Sequence, residues 1–384
     1  MIRLRECVVG LCCAALLGGE AAAEESAERP ELPGGIYDKP YIKRAGRGVA
    51  VGGYLDHEFE YNEGGKNTFD QHRFIPFIYG QVSDRVRVSA EIEFEHGGFV
   101  SGGKSTDGEV KLEFAVMDFE FTEAFNYRGG VILSPLGVFN LLHDSPLNDL
   151  TARPTVNRQI MPSTLSESGM GFFGTFFPSE LSVATYELYV VNGFNAKVIN
   201  SSGQLRIRGG RGSQKSDNNK NKAIVGRFGF SPRLGMNFGA SFHTGAYDDA
   251  GDNNLMIIGL DGKVARGIFE LQGEYARSTA DIDRATHPAA AESQQGAYAQ
   301  ANVHFAHDKA LPGSVWTGVV RWDWVDYDSD QTGDSELGLT FGLNFRPVED
   351  AAFKLDYASI WKTPVGGARG DATGRLFFSV TTYF

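Results

Sequence analysis

One proline-containing segment, residues 139–167, carries charged side chains of both signs. If its carboxylates and arginines faced each other across a narrow, partly dehydrated passage, they would create a transverse field that sorts solutes by charge. The alternative is that the arginines pair with neighbouring carboxylates and only pin the segment in place. Both interpretations stay open at the level of the sequence. The candidate constriction residues are His143, Asp144, Asp149, Arg153, Arg158 and Glu167.

Other patterns that could carry chemistry are weak. The glycines of Gly169–Gly174 have the spacing of a dinucleotide-binding loop, but no helix pattern follows them to meet a phosphate. The histidines show no ligand-like clustering, so we expect no metal and no cofactor. Ser241, His243 and His304 do not assemble into a convincing Ser/His/acid set, and we expect no catalytic residue.

The first residues have the pattern of an export signal. Arg3 and Arg5 precede an apolar run from Val8 to Leu17, and the small residues 21–23 follow this run as a cleavage site. We therefore predict a cleaved signal peptide over residues 1–23 and a flexible periplasmic segment, rich in charge, Pro and Gly, over 24–48. All three cysteines lie within the predicted signal, so the mature chain would contain neither a disulfide nor a Cys metal site.

Composition narrows the class of protein. The net charge of −12 argues against a nucleic-acid partner. Glycine (48) and phenylalanine (28) are abundant, yet hydrophobic residues reach only 42%. Strands with one apolar and one polar face give this intermediate hydropathy even when they lie in lipid, although a soluble exported β-protein would give it too.

Period-two alternation decides between these two classes. From Val49 onward, apolar and polar residues alternate in long runs, as in 85–95 and 336–345. Crossing an apolar band of ~25 Å takes about 10 tilted residues, whereas soluble strands average about 5 or 6. These runs predict an all-β transmembrane antiparallel barrel over 49–384. The predicted strands span 49–61, 69–82, 85–96, 109–121, 127–138, 168–177, 181–193, 222–231, 234–246, 254–265, 266–277, 295–306, 314–327, 335–346, 352–361 and 374–384.

The connections between these runs alternate between short and long, as they do in barrels that have turns at one rim and loops at the other. The third long connection contains many apolar residues, among them Leu141, Leu150 and Ile160, which a loop in water would not need. We therefore expect it to fold into the lumen and to set the constriction. The wall residues expected to face that lumen are Arg73, Arg85, Arg87, Glu91, Glu93, Arg227 and Arg321.

The two remaining signals concern partners. The final strand alternates and ends at the aromatic Phe384, which is typical of the signal read by barrel-assembly machinery. Residues 195–222 are basic against the acidic whole, so on an extracellular loop they could steer anions or bind lipopolysaccharide phosphates, or simply be a solvated loop.

The segment from Arg153 to Gly174 resembles the loop-to-strand segment of the phosphate-selective porin O and P family. The resemblance rests on Arg153-Pro154, Asn157-Arg158, Pro162–Thr164, Glu167–Gly169 and Gly171–Gly174. It implies a sixteen-stranded, homotrimeric porin. The mixed wall charges depart from the arginine ladder and lysine cluster of the family's namesakes, which favours a general or weakly selective pore.

The sequence therefore predicts a bacterial outer-membrane channel that lets small hydrophilic solutes or ions diffuse passively, anions such as phosphate among them. A barrel enzyme, or a barrel that serves as an adhesin, is the alternative. Membrane lipid and small solutes are the expected partners, and no nucleic acid is expected.

Overall fold

A computed structural model describes residues 48–97 and 108–384. Its sixteen strands form one closed antiparallel barrel, in which each strand pairs with the next and β1 pairs with β16. The fold class predicted from alternation is thus confirmed. The strands are β1 Val49–Asn62, β2 Thr68–Ser83, β3 Val86–Glu95, β4 Glu109–Glu120, β5 Asn126–Leu133, β6 Ser166–Ser179, β7 Ser182–Val191, β8 Ala223–Arg233, β9 Met236–Ala246, β10 Asn254–Arg266, β11 Phe269–Ala280, β12 Ser293–Phe305, β13 Val315–Asp326, β14 Ser335–Val348, β15 Ala351–Thr363 and β16 Thr373–Tyr383.

The two faces of the strands differ in polarity. On β15, Lys354 and Asp356 are buried inside the barrel, while the intervening Leu355 and Tyr357 are each 48% exposed on the outside. Closure pairs every strand edge, so the barrel exposes apolar side chains outward without leaving an unpaired ladder.

The fifth strand ends earlier than the alternation predicts. Residues 134–138 were expected to continue it, but β5 stops at Leu133. Pro135 has no N–H to donate to the ladder, and Gly137 has a φ of 75°, which a residue without Cβ adopts readily. The chain therefore leaves the wall at Ser134. The predicted signal peptide and nearly all of the predicted periplasmic segment lie outside the described residues.

Two long connections fill much of the barrel interior. Residues 134–165, here called the inner loop, contain the short helices α1 (Val138–Leu141) and α2 (Thr155–Gln159). Residues 192–222, here called the covering loop, lie against the inner loop and contain two single 3₁₀ turns. No helix among the described residues is long and apolar enough to cross a membrane.

The main apolar core lies between these loops and the wall. Val156, Ile160 and Met161 of the inner loop pack with Val198 and Leu205 of the covering loop, all almost fully buried. Removing one such side chain typically costs about 2–5 kcal/mol of unfolding free energy. The apolar residues noted in this connection therefore have a structural use, which is to hold both loops.

Candidate functional site

The tip of the inner loop is fixed to the wall by β1, β15 and β16. Ser145 Oγ donates to Asp56 Oδ2 at 2.6 Å, and Lys354 Nζ donates to the Ser145 carbonyl oxygen at 2.6 Å. Tyr383 Oη donates to Asp144 Oδ2 at 2.9 Å. Asp144, predicted at the constriction, is fully buried in this anchor.

Asp149 is held in the same way by three side chains of two strands, β12 and β14. One of its carboxylate oxygens accepts from Asn302 Nδ2 at 2.8 Å, and the other accepts from Asn344 Nδ2 and Arg346 Nη2 at 3.1 Å each. A carboxylate with this many donors positions the loop rather than presenting a free charge to a solute.

Two further candidates form buried pairs with the wall. His143 Nε2 contacts the Glu113 carboxylate on β4, and both side chains are 1% exposed. Glu167 lies on β6, within the wall, and its Oε1 is 3.0 Å from His243 Nε2 on β9. For His143 and Glu167 the described contacts match the pinning role that the sequence left open.

The two arginines of the predicted constriction differ in their surroundings. Arg158 is 37% exposed and its Nη2 lies 3.9 Å from Glu336 Oε1, a loose ion pair. Arg153 Nη2 is buried and has no hydrogen-bond partner among the described residues. Burial, followed by the nearby charge of Arg73, lowers the pKa of Arg153 from its ordinary value, although a guanidinium stays charged at neutral pH.

Arg153 points into a small cavity between the inner loop and the wall. We call its basic lining, His72, Arg73, His143, Arg153 and Arg321, the basic chamber. Among the described residues, the rest of the lining is neutral and contains no carboxylate. The free volume is about 20 Å³, which suits about one ordered water, so this is a narrow point.

Two arginines of the chamber form ion pairs with carboxylates that lie just outside it. Arg73 Nε lies 3.0 Å from Glu93 Oε1, and Arg73 Nη2 lies 2.7 Å from Glu95 Oε1. Arg321 Nε lies 2.8 Å from Asp323 Oδ2. Arg153 is therefore the chamber's unmatched charge among the described residues.

The other residues predicted to face the lumen are spread along the wall. Glu91 is buried, and Arg227 is paired with Asp261. Arg87 pairs with Glu120 near the short-turn rim. Arg85 was predicted on the lumen wall, but it is exposed in the tight turn between β2 and β3, because β3 begins only at Val86.

Arginines of the covering loop face the inner loop. Arg208 donates to the Ser163 carbonyl oxygen, and Arg211 Nη1 donates to that of Thr164 at 3.0 Å. Burial, followed by the charge of Arg211, lowers the pKa of Arg208 to about 10. The exposed members of the predicted basic cluster are Lys197, Arg208, Lys215, Lys220 and Lys222.

Comparison with known proteins identifies the fold. No family model matches the sequence. A protein of Aquifex aeolicus (strain VF5), described only as uncharacterized, is 28% identical over 338 residues, which cover 81% of this chain and 75% of that protein.

Solved barrels of the outer membrane superimpose over most of the chain. An anion-selective porin from Comamonas acidovorans has a TM-score of 0.59 at 10% identity, covering 88% of this chain and 99% of that one. OmpF of Salmonella typhi, in complex with daunomycin, has a TM-score of 0.56 at 10% identity, with coverages of 88% and 97%. OmpT of Vibrio cholerae, an outer-membrane protein in trimer form, has a TM-score of 0.55 at 10% identity, with coverages of 88% and 99%. The chain has a porin-like barrel fold.

Several site residues were missed from the sequence. Lys354 and Asp356 alternate with apolar neighbours, so the period-two rule was sufficient to place them inside. The period-two rule could not predict His72 as a lumen residue, because strict alternation from the buried Arg73 points His72 outward. Only the irregular pairing of β1 with β2 brings it inside.

Proposed function

We propose that this protein is a passive channel of the bacterial outer membrane for small hydrophilic solutes, with a preference for anions set at the basic chamber. The outer surface of the barrel exposes large apolar side chains such as Ile78 and Leu343, which suits lipid. The interior is lined by polar and charged side chains, which suits water and dissolved ions.

The observation that carries the anion preference is the unmatched Arg153. In this small cavity, a solute meets basic and neutral side chains only. Because Arg73 and Arg321 are paired with carboxylates behind them, Arg153 is the arginine of the chamber whose charge is offset by no ion pair among the described residues. In a narrow, water-poor passage such a charge acts on a permeating ion with little screening.

Arg158 is the second part of this proposal. It is more exposed than Arg153 and lies near Glu336, at the loop end of β14. We place it in the vestibule, where it draws anions toward the chamber but is itself partly offset. The other predicted constriction residues support the inner loop from buried positions.

Phosphate is among the anions that this site would accept, as the resemblance to the phosphate-selective porins implies. The wall arginines are paired, as Arg227 is with Asp261, so they do not form a free ladder that would select phosphate over other anions. We therefore propose small inorganic anions as the solute class.

A channel fits the interior better than a barrel enzyme does. Ser241 Oγ accepts the N–H of Gly137 at 2.9 Å, and His243 is buried against Glu167. Both groups are used to hold the inner loop and β6. The related proposals are a homotrimer, contact with lipopolysaccharide at the remaining basic surface, and delivery by the barrel-assembly machinery through Phe384.

Planar-bilayer recording with purified protein tests this function. We expect stepwise ohmic currents and, in a KCl gradient, a reversal potential of the sign that chloride permeation gives. A folded barrel that carries no current would overturn the channel, and a reversal potential of the potassium sign would overturn the anion preference alone.

A further inference from the structure

Three ligand atoms meet on the lumen side of β1 and β2, although the spacing of the histidines predicted no metal site. His72 Nδ1 lies 2.7 Å from Glu58 Oε1 and 3.1 Å from Asp56 Oδ2. One ligand atom from each of these residues lies within 4.8 Å of the ligand atoms of the other two. We call these three residues the β1–β2 cluster.

A local irregularity of the sheet creates this cluster. Asp56 pairs with Arg73 and Glu58 pairs with Asp70, so one residue of β1 lies opposite two residues of β2. Such a bulge re-aims the side chain of the extra residue. It turns His72 to the same side as Asp56 and Glu58, which alternation alone would not do.

The cations nearest the cluster interact with its charge but make their close contacts elsewhere. Lys354 Nζ donates to the Ser145 carbonyl oxygen, and Arg73 is paired with Glu93 and Glu95. Asp56 is fully buried, and its Oδ1 has no hydrogen-bond partner among the described residues. A buried carboxylate oxygen without a donor costs free energy, and a cation would offset that cost.

We propose that the β1–β2 cluster binds a divalent transition-metal ion of the Zn²⁺ type. One imidazole nitrogen and two carboxylate oxygens form a donor set that Zn²⁺ accepts, whereas Ca²⁺ and Mg²⁺ prefer oxygen alone. Tetrahedral Zn²⁺ places its ligand atoms about 3.3 Å apart, which is roughly 0.2 Å beyond the distance of 3.1 Å from His72 to Asp56 and roughly 0.6 Å beyond the distance of 2.7 Å from His72 to Glu58. Partly exposed Glu58 can open by that amount.

The position of the cluster leaves the ion accessible. His72 also lines the basic chamber, so the site opens to the lumen. Three protein ligands leave at least one coordination position for water or for a donor atom of a solute. The bound ion would add positive charge beside Arg153 and would hold Asp56, the partner of Ser145, in place.

Calorimetric titration of the detergent-folded barrel with Zn²⁺ tests this proposal without any measurement of current. We expect saturable binding of one ion per chain that excess Mg²⁺ does not displace. His72→Gln removes the nitrogen ligand and should weaken binding by at least about 10-fold. Glu58→Gln, at a partly exposed position, should also weaken it and is the second variant if His72→Gln folds poorly.

His304→Gln is the matched control, because His304 is a half-buried histidine of β12 whose Nδ1 lies 2.9 Å from Thr317 Oγ1 and which forms no ion pair with a carboxylate among the described residues. It should bind Zn²⁺ as the unaltered protein does. Absence of saturable binding would overturn the proposal, and so would equal affinity in a folded His72→Gln variant. Either result would leave an imidazole–carboxylate hydrogen bond as the role of the cluster.

Discussion

Replacing Arg153 by glutamine removes the unmatched charge of the basic chamber and keeps a polar, although shorter, side chain. An anion about 5 Å from the guanidinium gains about 3 kcal/mol at an effective dielectric constant of about 20. Screening over that distance in about 0.1 M salt leaves about 2 kcal/mol. This is roughly 30-fold in anion occupancy.

The reversal potential in a KCl gradient measures this effect in single channels. We expect Arg153→Gln to reduce the chloride-over-potassium permeability ratio by about 5-fold to 30-fold. Arg85→Gln is the control, because Arg85 is exposed in a turn and its replacement should leave the potential unchanged. If the folded Arg153→Gln channel gives the potential of the unaltered protein, the chamber does not set selectivity.

Three further predictions follow from the anchors and the vestibule. Arg158→Ala should shift the reversal potential toward cations, but less than Arg153→Gln does, because this side chain is 37% exposed and lies near Glu336; an equal or larger shift would place the selective point in the vestibule. Tyr383→Phe removes the donor to Asp144 and should lower the unfolding free energy by about 1 kcal/mol and raise current noise; denaturant unfolding and noise spectra check this, and unchanged values would show that the anchor is dispensable. Deleting Phe384, whose N–H donates to the Gly53 carbonyl oxygen at 3.0 Å, should reduce the folded barrel recovered in outer membranes, measured by heat-modifiable migration; full recovery would exclude it as an assembly signal.

The barrel was predictable because its information is local. Alternation in β3 and β14 needs only neighbouring residues, and each strand pairs with the one next in sequence. The apolar residues of the inner loop likewise indicated a packed segment. The early end of β5 was missed because the apolar residues 136, 138 and 139 continue a strand-like run, although they pack inside the barrel.

The site itself depends on contacts between distant residues. Nothing near His143 in the sequence indicates that Glu113 is its partner, and the three donors to Asp149 come from β12 and β14. Which charge is free and which is pinned follows only from these pairings. For the same reason the sequence could not separate Arg153 from Arg158.

The charge of the whole chain and the charge of its narrow point have opposite signs. A net charge of −12 suggests a pore that favours cations, but the carboxylates next to the chamber are engaged by its basic side chains, as Glu93 is by Arg73 and Asp323 is by Arg321. A permeating ion meets the basic chamber at the inner loop. There water is nearly excluded and the lining is basic, so the free energy of passage depends on Arg153 far more than on the sum of charges.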